Sequence, residues 1–395
     1  MKEPKIRFNE FNGEWETDKI GNFSSSFSGG TPTAGVSEYY GGEIPFIRSG
    51  EIHADKTELF LTEKGYNNSS AKIVDKGTLL YALYGATSGD VAISKIKGAI
   101  NQAILAITPY KSVEKEFLAN FLLCNKDKIV GELLQGGQGN LSGSLVKDIN
   151  VTYPSLAEQH SIASFFTTLD AQISASTSRL ASLKQIKAAS LQAMFPQEGE
   201  TVPKLRFKGF EGEWEKVTFD KLYEPTTIKN KTFGADKIIS VANMYYKPIS
   251  YISDEEYLKS YNVMNLGDIA FEGNKSKNYA HGRFVENTIG DGIVSHVFIV
   301  LKPISKQYDL LFWKYLINYE STMGPVLSRC TKHSTMMTDL VVSDFLKESI
   351  LIPSFEEQKY IGSFLQNLDR QITLQSQRLE KLKQIKAACL DKMFV

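Results

Sequence analysis

Apolar residues recur at intervals of three, four or seven positions in two separate stretches of the chain. The two sets are Leu169, Ile173, Leu180, Leu183 and Leu368, Ile372, Leu379, Leu382. This spacing is typical of a coiled-coil seam, which predicts two long helices. Because a single seam cannot bury itself, we expect the two helices to pair, and to run antiparallel if a pseudo-two-fold axis relates them.

Polar residues on these helices leave three questions open. Ser176 and Gln375 interrupt the apolar stripe and are either tolerated, half-exposed positions or residues that set the register of the pair. Gly362 falls in the first turns of the second helix, so each helix is either continuous or divided into a short and a long segment. Four lysines form either a solvated face or a surface for a partner subunit: Lys184, Lys187, Lys383 and Lys386.

The segments around these helices are repeated at an offset of 199 residues. We call the repeated segments the frame: Pro4–Glu16 with Pro203–Glu215, and Pro154–Phe195 with Pro353–Phe394. The interiors between them, residues 17–150 and 216–349, share little similarity. A period this long indicates duplication of a whole domain with its helix, whereas a solenoid repeats every 20 to 50 residues.

The start of each helix has a local signature. Ser155 with Glu158, and Ser354 with Glu357, follow a proline in the S-x-x-E pattern of a capping box. The predicted organisation is a recognition domain at 1–153, a helical region at 154–200, a second recognition domain at 201–352 and a second helical region at 353–395.

Composition is that of a folded, soluble protein of two or three domains. Of 395 residues, 42% are hydrophobic and 23% are charged, with no low-complexity run. No stretch approaches 18 consecutive apolar residues, so we expect a cytoplasmic protein without a membrane span. Cys124, Cys330 and Cys389 are few and far apart, which predicts reduced thiols rather than disulfides.

The charge balance bears on nucleic-acid binding. The 45 basic and 45 acidic residues give a net charge of zero. Since phosphate neutralisation supplies most of the affinity for nucleic acid, this balance argues against tight, independent DNA binding. Local basic patches, or partner subunits that add phosphate contacts, would still allow it.

No catalytic motif is complete. Residues 273–276 (GNKS) contain only the end of a phosphate-binding loop, and the chain has no [DNS]-P-P-[YF] stretch for methylating the amino group of a base. His296, Cys330 and His333 do not complete a zinc quartet. We therefore expect neither a catalytic site nor a metal site, although a stand-alone methyltransferase or nuclease is one rival hypothesis.

The interiors instead contain polar loops with glycine, aromatic and basic residues. These loops lie at 84–90, 135–144, 274–279 and 328–333, and the single residue Arg283 follows the third of them. Asn and Gln pair with adenine, Arg and Lys with guanine, and Ser and Thr with phosphates or base edges. For any single residue the alternative is an ordinary exposed polar side chain; the clustering in otherwise apolar domains favours binding.

Taken together, the chain resembles the specificity subunits of type I restriction-modification systems. The P-S-x-x-E-Q openings at Pro154 and Pro353, each with a long helix, resemble that family's conserved regions. Residues 28–32 (SGGTP), 39–46 (YYGGEIPF) and 101–103 (NQA) resemble its target recognition domain. The second interior lacks both the G-G-T-P and the N-Q-A element.

The resemblance implies an α+β fold with two α/β target recognition domains separated by an antiparallel coiled coil. It implies a non-catalytic chain that binds double-stranded DNA together with two modification (methyltransferase) subunits and two restriction (motor-nuclease) subunits. S-adenosylmethionine, ATP and Mg²⁺ are then held by those partners, and this chain binds no cofactor. Each domain reads one half of a bipartite, asymmetric site.

The candidate DNA contacts are the following residues: Thr31, Arg48, Ser49, Tyr84, Thr87, Ser88, Gln135, Gln138, Asn140, Ser142, Asn274, Lys275, Lys277, Asn278, Tyr279, Arg283, Arg329, Lys332 and His333. The helix from Leu169 to Phe195 is about 40 Å long, close to the 34 to 36 Å between half-sites of dimeric DNA readers. A bivalent protein-binding scaffold without DNA readout is the second rival hypothesis.

Overall fold

The chain forms two compact units in a computed structural model that describes residues 3–133, 140–248, 255–333 and 337–395. Unit 1 comprises Met1–Thr177 and Gln377–Val395, and unit 2 comprises Ser178–Ser376. The two long helices, α6 (Leu156–Met194) and α11 (Phe355–Met393), have 39 residues each and contribute one end to each unit.

The described residues of unit 1 form ten short strands and five short helices before α6. The strands are β1 (Glu16–Lys19), β2 (Ser24–Ser28), β3 (Tyr40–Ile47), β4 (Leu59–Leu61), β5 (Lys72–Val74), β6 (Leu79–Ala82), β7 (Val91–Ile93), β8 (Gly98–Ile100), β9 (Ile104–Pro109) and β10 (Asn150–Tyr153). The helices are α1 (Ile20–Phe23), α2 (Glu63–Asn67), α3 (Lys115–Cys124), α4 (Lys126–Leu133) and α5 (Gly143–Lys147), with 3-10 turns at Ser37–Tyr39 and Ser49–Glu51.

Two four-stranded sheets organise unit 1. The first has the antiparallel order β2-β9-β6-β7, and the second has the order β4-β3-β8-β5 with β3 and β8 parallel. Strand β6 is buried along its whole length, as expected for a short, continuous apolar run. Its Tyr81 lies in the core with Phe117 of α3, and Phe394 at the end of α11 packs on Phe117 with ring centroids 5.3 Å apart.

Unit 2 repeats this plan with shorter peripheral strands. Its strands are β11 (Glu215–Thr218), β12 (Tyr223–Thr226), β13 (Ile239–Ser240), β14 (Tyr245–Tyr246), β15 (Asn262–Met264), β16 (Ile269–Glu272), β17 (Arg283–Glu286), β18 (Gly292–Val294), β19 (Ile299–Pro303), β20 (Thr331–His333), β21 (Thr338–Leu340) and β22 (Ser349–Ile352). Its helices are α7 (Glu255–Leu258), α8 (Leu310–Leu316), α9 (Glu320–Cys330) and α10 (Val342–Phe345), with 3-10 turns at Phe219–Lys221 and Ala235–Lys237.

The central sheet of unit 2 has the order β12-β19-β16-β17, which matches the order β2-β9-β6-β7 of unit 1 strand for strand. Phe195 at the end of α6 packs on Trp214 and Phe312, with centroids 6.1 and 5.9 Å apart. The two dissimilar interiors therefore have one fold, and the predicted α+β class is confirmed.

The long helices pair within each unit and run antiparallel, as predicted. In unit 1, Phe166 of α6 packs on Phe394, and Asp170 of α6 binds Lys386 of α11 at 2.5 Å. A later residue of α6 thus contacts an earlier residue of α11, which is the antiparallel arrangement. In unit 2, Lys187 binds Asp369 at 2.6 Å. These two ion pairs occupy equivalent positions of the repeat.

Buried and half-buried residues form one heptad stripe on each helix. In α6 they include positions 162, 166, 169, 173, 176, 180, 183, 187, 190 and 194, and in α11 the positions 199 further on. The predicted pairing residues all lie on it: Leu169, Leu183, Leu368 and Leu379 are buried, and Ile173, Leu180, Ile372 and Leu382 are half-buried.

The polar positions on the helices differ from part of the expectation. Ser176 and Gln375 are only 5% and 8% exposed, so their interpretation as half-exposed residues is wrong, and a register-setting role stays a prediction. The lysines divide into two kinds: Lys187 and Lys386 form the ion pairs described above, whereas Lys184 and Lys383 are exposed.

Helix α11 is continuous through Gly362. A Cβ at this position would lie 2.6 Å from the backbone nitrogen of Phe312 in α8. The glycine is therefore explained by the close approach of the two helices and does not mark a break.

Repeated frame residues make the same contacts in both units. Both oxygens of Glu158 accept hydrogen bonds from Arg7, and both oxygens of Glu357 accept hydrogen bonds from Arg206. The helices begin where the capping signature predicted, but these carboxylates bind arginines instead of the backbone of the cap residue. The physical reason is that a guanidinium offers two donors in the planar geometry of a carboxylate.

The next residue of the motif is also buried and repeated. Gln159 accepts a hydrogen bond from the backbone nitrogen of Glu114 at 2.8 Å, and Gln358 accepts one from that of Asp309 at 3.1 Å. Each side-chain amide donates to the carbonyl of the preceding proline, at 2.9 Å and 3.2 Å. The P-S-x-x-E-Q motif thus fixes each long helix to the short helix that follows the central sheet.

Candidate nucleic-acid interface

Three loops of unit 1 meet beside the β2-β9-β6-β7 sheet: the loop after β2, the loop between β6 and β7, and the β8–β9 connection. The backbone nitrogen of Leu83 donates to the carbonyl of Ala103 at 2.8 Å, and that of Gly30 donates to the carbonyl of Ile100 at 3.2 Å. The Thr31 hydroxyl donates to Oε1 of Gln102. The G-G-T-P and N-Q-A segments, distant in sequence, are therefore in direct contact.

Two glycines make this contact possible. A Cβ at Gly29 would lie 1.8 Å from the carbonyl oxygen of Ile100, and one at Gly30 would lie 2.6 Å from the Cβ of Ser70. No side chain fits at these distances, since even a methyl group needs more than 3 Å. The loop after β2 therefore approaches the β8–β9 connection closely enough for Thr31 to reach Gln102.

The loop between β6 and β7 carries Tyr84, Thr87 and Ser88, all half-buried. Gly85 and Gly89 have φ angles of 88° and 80°, in the left-handed region that favours glycine.

The backbone nitrogen of Leu141 donates to the carbonyl of Leu83 at 2.9 Å. The exposed residues Asn140 and Ser142 are thereby brought beside this loop, and Ser142 also caps α5 by accepting from the backbone nitrogen of Leu145. Gln135 and Gln138 lie outside the described residues.

Arg48 and Ser49 follow β3 and lie next to the same connection, because the carbonyl of Ile47 accepts a hydrogen bond from the backbone nitrogen of Asn101. The Arg48 guanidinium is paired with Glu51 at 2.9 Å and with Glu58 at 2.6 Å. These two carboxylates raise the pKa of Arg48 and neutralise its charge. These contacts are made by Nε and Nη2 of Arg48, whose side chain is 39% exposed, so Arg48 remains a candidate DNA contact.

In unit 2 the equivalent position is taken by the loop between β16 and β17 and by the β20–β21 hairpin. The backbone nitrogen of Thr338 donates to the carbonyl of Gly273 at 2.8 Å, which is the counterpart of the Leu141 to Leu83 contact in unit 1. Four candidate residues of this loop are exposed: Asn274, Lys275, Lys277 and Asn278. The loop therefore presents positive charge and side-chain amides, unlike its counterpart in unit 1.

Arg283 holds this second loop in place. Its guanidinium binds Glu272 at 2.7 Å, donates to the carbonyl of Ala242 at 2.8 Å and lies 4.9 Å from the centre of the Tyr279 ring. The Tyr279 hydroxyl donates to Oδ1 of Asn318 at 2.5 Å. Both candidate residues are thus used to shape the loop.

Arg329 lies apart from this loop. It forms a bidentate ion pair with Glu348 and lines a cavity of about 360 Å³ together with Pro196 and the frame residue Trp214. Lys332 is exposed on β20 opposite Asp339, and the backbone of His333 pairs with Thr338. The side chain of His333 lies outside the described residues.

Contacts missed from the sequence involve the partners of the candidate residues. Gln102, Glu272 and Asn318 were not selected, although Gln102 stood in the N-Q-A segment. The Arg7–Glu158 contact was also missed, although both residues recur at the same offset as Arg206 and Glu357. The repetition of both residues at one common offset was the sequence signal that they are partners.

The described ranges contain neither a metal-binding cluster nor a membrane-spanning helix. No three His, Cys, Asp or Glu side chains there come together as a metal-binding group. None of the helices described is long and apolar enough to cross a membrane.

Two specificity subunits of Methanocaldococcus jannaschii are similar to this chain in sequence. A segment of 168 residues, 40% of this chain, is 32% identical to the type I restriction enzyme MjaIX specificity subunit of Methanocaldococcus jannaschii, and covers 38% of that subunit. The MjaVIII specificity subunit of the same organism is 21% identical over 405 aligned positions, which cover 96% of this chain and 91% of that subunit.

Solved structures share the fold. The S subunit of a type I restriction-modification system from M. genitalium superimposes with a TM-score of 0.65 at 15% identity, over 100% of this chain and 99% of that one. A chain from a structural study of complex assembly in a type I R-M system superimposes with a TM-score of 0.52 at 14% identity, over 98% of both chains.

The family model for the type I restriction modification DNA specificity domain matches residues 12–185 and again residues 212–384. Each match contains one unlike interior, its central sheet and most of one long helix. The chain therefore belongs to the type I restriction-modification specificity subunit family and contains two target recognition domains.

Proposed function

We propose that this chain selects the DNA sequence on which a type I restriction-modification complex acts, and that each unit reads one half of a bipartite, asymmetric site. The observation that carries the proposal is the position of the candidate loops. The loop between the third and fourth strands of the central sheet is held by the same backbone contact in both units, yet its chemistry differs. Like frames with unlike loops are what two different half-sites require.

The loop chemistry suits duplex DNA. Unit 2 presents Lys275 and Lys277 for phosphates, with Asn274 and Asn278 able to pair with adenine. Unit 1 presents hydroxyl and amide groups with little charge. Because the whole chain has zero net charge, partner subunits supply much of the phosphate neutralisation.

In the proposed complex this chain performs no chemistry. Two modification subunits methylate adenine, two restriction subunits cleave unmodified DNA, and S-adenosylmethionine, ATP and Mg²⁺ are held by those partners. The exposed and identical segments Lys184–Ile186 and Lys383–Ile385 support two equivalent docking surfaces, one on each long helix, with Ile186 48% and Ile385 39% exposed. Two copies of one surface fit two copies of one partner.

The test is co-expression with the modification subunit in a host free of adenine methylation, followed by genome-wide mapping of methylated adenines. We expect a bipartite motif with one methylated adenine in each half. Replacing residues 17–150 with the interior of another specificity subunit should change one half of the motif and leave the other unchanged. A stable complex that methylates nothing would favour the protein-binding scaffold.

We further propose that the two long helices set the spacer between the half-sites. Inserting one heptad after Leu180 and another after Leu379 keeps the apolar stripe continuous and lengthens each helix by about 10 Å, which is about three base pairs. The mapped motif should keep both half-sequences and gain about three bases between them. Two seven-residue Gly-Ser insertions at the same places are the control, since they lengthen the chain without extending a rigid helix. An unchanged spacer in the heptad variant would exclude this role.

A further inference from the structure

A turn of four residues, Val241–Met244, joins β13 to β14 in unit 2 and contains none of the candidate DNA contacts. Ser240 and Tyr245 pair at the base of this β13–β14 turn, and the carbonyl of Ser240 accepts a hydrogen bond from the backbone nitrogen of Met244 at 2.8 Å. Met244 has a φ angle of 47°, and it is the only residue other than glycine with a positive φ in the part of the chain that the structure describes. This left-handed conformation is strained for a methionine.

Packing keeps the strained residue in place. Val241 is 2% exposed and belongs to a buried cluster of unit 2, and the half-buried Met244 packs against the same cluster. Residues that their surroundings hold at such angles are concentrated at functional sites, including ligand-binding ones. The turn is therefore anchored on both sides of Asn243, which is exposed.

The β13–β14 turn lies beside the candidate loop between β16 and β17. Arg283 donates to the carbonyl of Ala242 in the turn at 2.8 Å and binds Glu272 at 2.7 Å. Glu272 and Arg283 face each other where the loop leaves the central sheet. One guanidinium therefore joins the turn to a loop that already contains candidate DNA contacts.

Unit 1 has candidate DNA contacts at the equivalent place. Its strand β3 runs parallel to β8, the strand before β9, and Arg48 and Ser49 follow β3 directly. In unit 2, Ile238 forms a parallel bridge with Ile293 of β18, the strand before β19, and the β13–β14 turn comes next in the chain. The two segments occupy equivalent positions, although their residues differ.

The chemistry of the turn suits a base edge. The side-chain amide of Asn243 has one donor group and one acceptor, and no residue described in the structure forms a hydrogen bond with it. Lys247, which follows β14, and Lys277, in the β16–β17 loop, are exposed and pair with no carboxylate of the described ranges. These lysines supply charge for phosphates, which leaves the neutral amide free for a base.

We propose that the β13–β14 turn is a recognition loop of unit 2 and that Asn243 reads an adenine by pairing with its N6 and N7; this rests on the proposed function. An asparagine makes this bidentate contact in the major groove, and the other bases do not present the same donor and acceptor pair. An adenine that is methylated must leave the base stack. The base that Asn243 reads is therefore another adenine of the same half-site.

The test uses the full chain in complex with the modification subunit. The half-site that unit 2 reads is the one that stays unchanged when residues 17–150 are replaced. Methylation rates are measured for wild type and Asn243→Ala on the cognate site and on every single-base variant of that half-site. The variant should lower the cognate rate by about 10- to 100-fold and lose the preference at one A·T pair.

Two other outcomes would overturn the proposal. A uniform loss of rate with the preferred sequence unchanged would show that Asn243 contacts a phosphate. Unchanged rates would show that the turn does not contact DNA. A wild-type complex that methylates nothing would instead refute the proposed function.

Two further variants separate base reading from folding. Asn243→Asp keeps the shape of the side chain but replaces its donor with an acceptor, so the preference at the same pair should shift from adenine to cytosine, whose N4 donates. An unchanged preference for adenine in this variant would contradict the proposed contact. Asn367→Ala removes an exposed amide from α11 in the same unit and should leave every rate unchanged.

Discussion

The two units of this protein share a frame but differ in how they hold their candidate recognition loops. In unit 1 an uncharged hydrogen bond, from Thr31 to Gln102, joins two of the loops. In unit 2 an ion pair between Arg283 and Glu272 holds the candidate loop in place instead. The difference shows that one backbone arrangement is compatible with quite different loop chemistry.

The comparison also separates two kinds of residue. Frame residues such as Glu158 and Glu357 are almost fully buried and make the same contacts in both units. Loop residues such as Lys275 and Ser88 are at least partly exposed and have no identical counterpart in the other unit. Frame substitutions should therefore act alike in both units, whereas loop substitutions should act on one half-site alone.

The largest effect is expected for the buried ion pairs of the frame. Arg7→Ala and Arg206→Ala each leave a carboxylate that is at most 1% exposed without its partner. Each should lower the free energy of unfolding by about 3 to 5 kcal/mol, the usual cost of an uncompensated buried charge. Urea unfolding measures the loss, and hydrogen exchange shows which unit opens first. The double variants Arg7→Met/Glu158→Leu and Arg206→Met/Glu357→Leu are the controls and should recover most of it. Single-variant losses below about 1 kcal/mol would mean that the pairs behave as exposed ones.

The second effect breaks the site of unit 1 alone. In Gly29→Ala the new methyl group meets the carbonyl of Ile100, so the loop must move, at a cost of about 1 to 3 kcal/mol. Recognition of one half-site should be lost while the other is kept, as read from the methylation map. The control is Gly131→Ala in α4, where an added Cβ meets nothing within 4 Å. That change should stabilise the helix by about 0.5 to 1 kcal/mol. Loss of both half-sites in Gly29→Ala would contradict independent units.

The smallest effect is the dependence of stability on pH to which two buried carboxyls of unit 2 contribute. Burial raises the pKa of Glu286 well above its ordinary value of 4.5, and the Tyr308 hydroxyl donates to the carboxyl at 2.5 Å. At the equivalent position of the sheet, unit 1 has Ile93, which faces Leu79 as Glu286 faces Ile269. Burial also raises the pKa of Asp268 to about 6.

A carboxyl that binds its proton more tightly when folded stabilises the fold fully below its unfolded pKa and loses that contribution as pH rises through its folded pKa. The contribution of these two carboxyls to the free energy of unfolding should therefore fall from about pH 4.5 upward, by at most about 1.4 kcal/mol per pH unit for each group. Glu286→Gln should remove its share of this slope. Glu224→Gln, at an exposed carboxyl of the same unit, should leave the slope as it is. Equal slopes in wild type and Glu286→Gln would exclude Glu286 as the cause.

Much of the fold was predictable because it depends on local patterns that occur twice. The heptad spacing around Leu169 and Leu368 predicted paired antiparallel helices, and the proline-serine openings predicted where α6 and α11 begin. The interiors were harder to predict. Their strands are short, and periodicity cannot assign those that are fully buried, such as Ile269–Glu272 and Leu79–Ala82. The one sequence signal that these two strands are equivalent is the likeness of Leu266–Phe271 to Lys76–Tyr81.

The sequence by itself determined the duplication, the helix pair and the polar character of the loops, because repetition and periodicity are properties of residue order. Only the tertiary structure decided which polar side chains are paired. It assigned Glu158 to Arg7 across 151 residues, Arg283 to the shaping of a loop, and Gln102 to Thr31. The physical reason is that a hydrogen bond or ion pair depends on distance in space, and only the folded sheets bring these residues together.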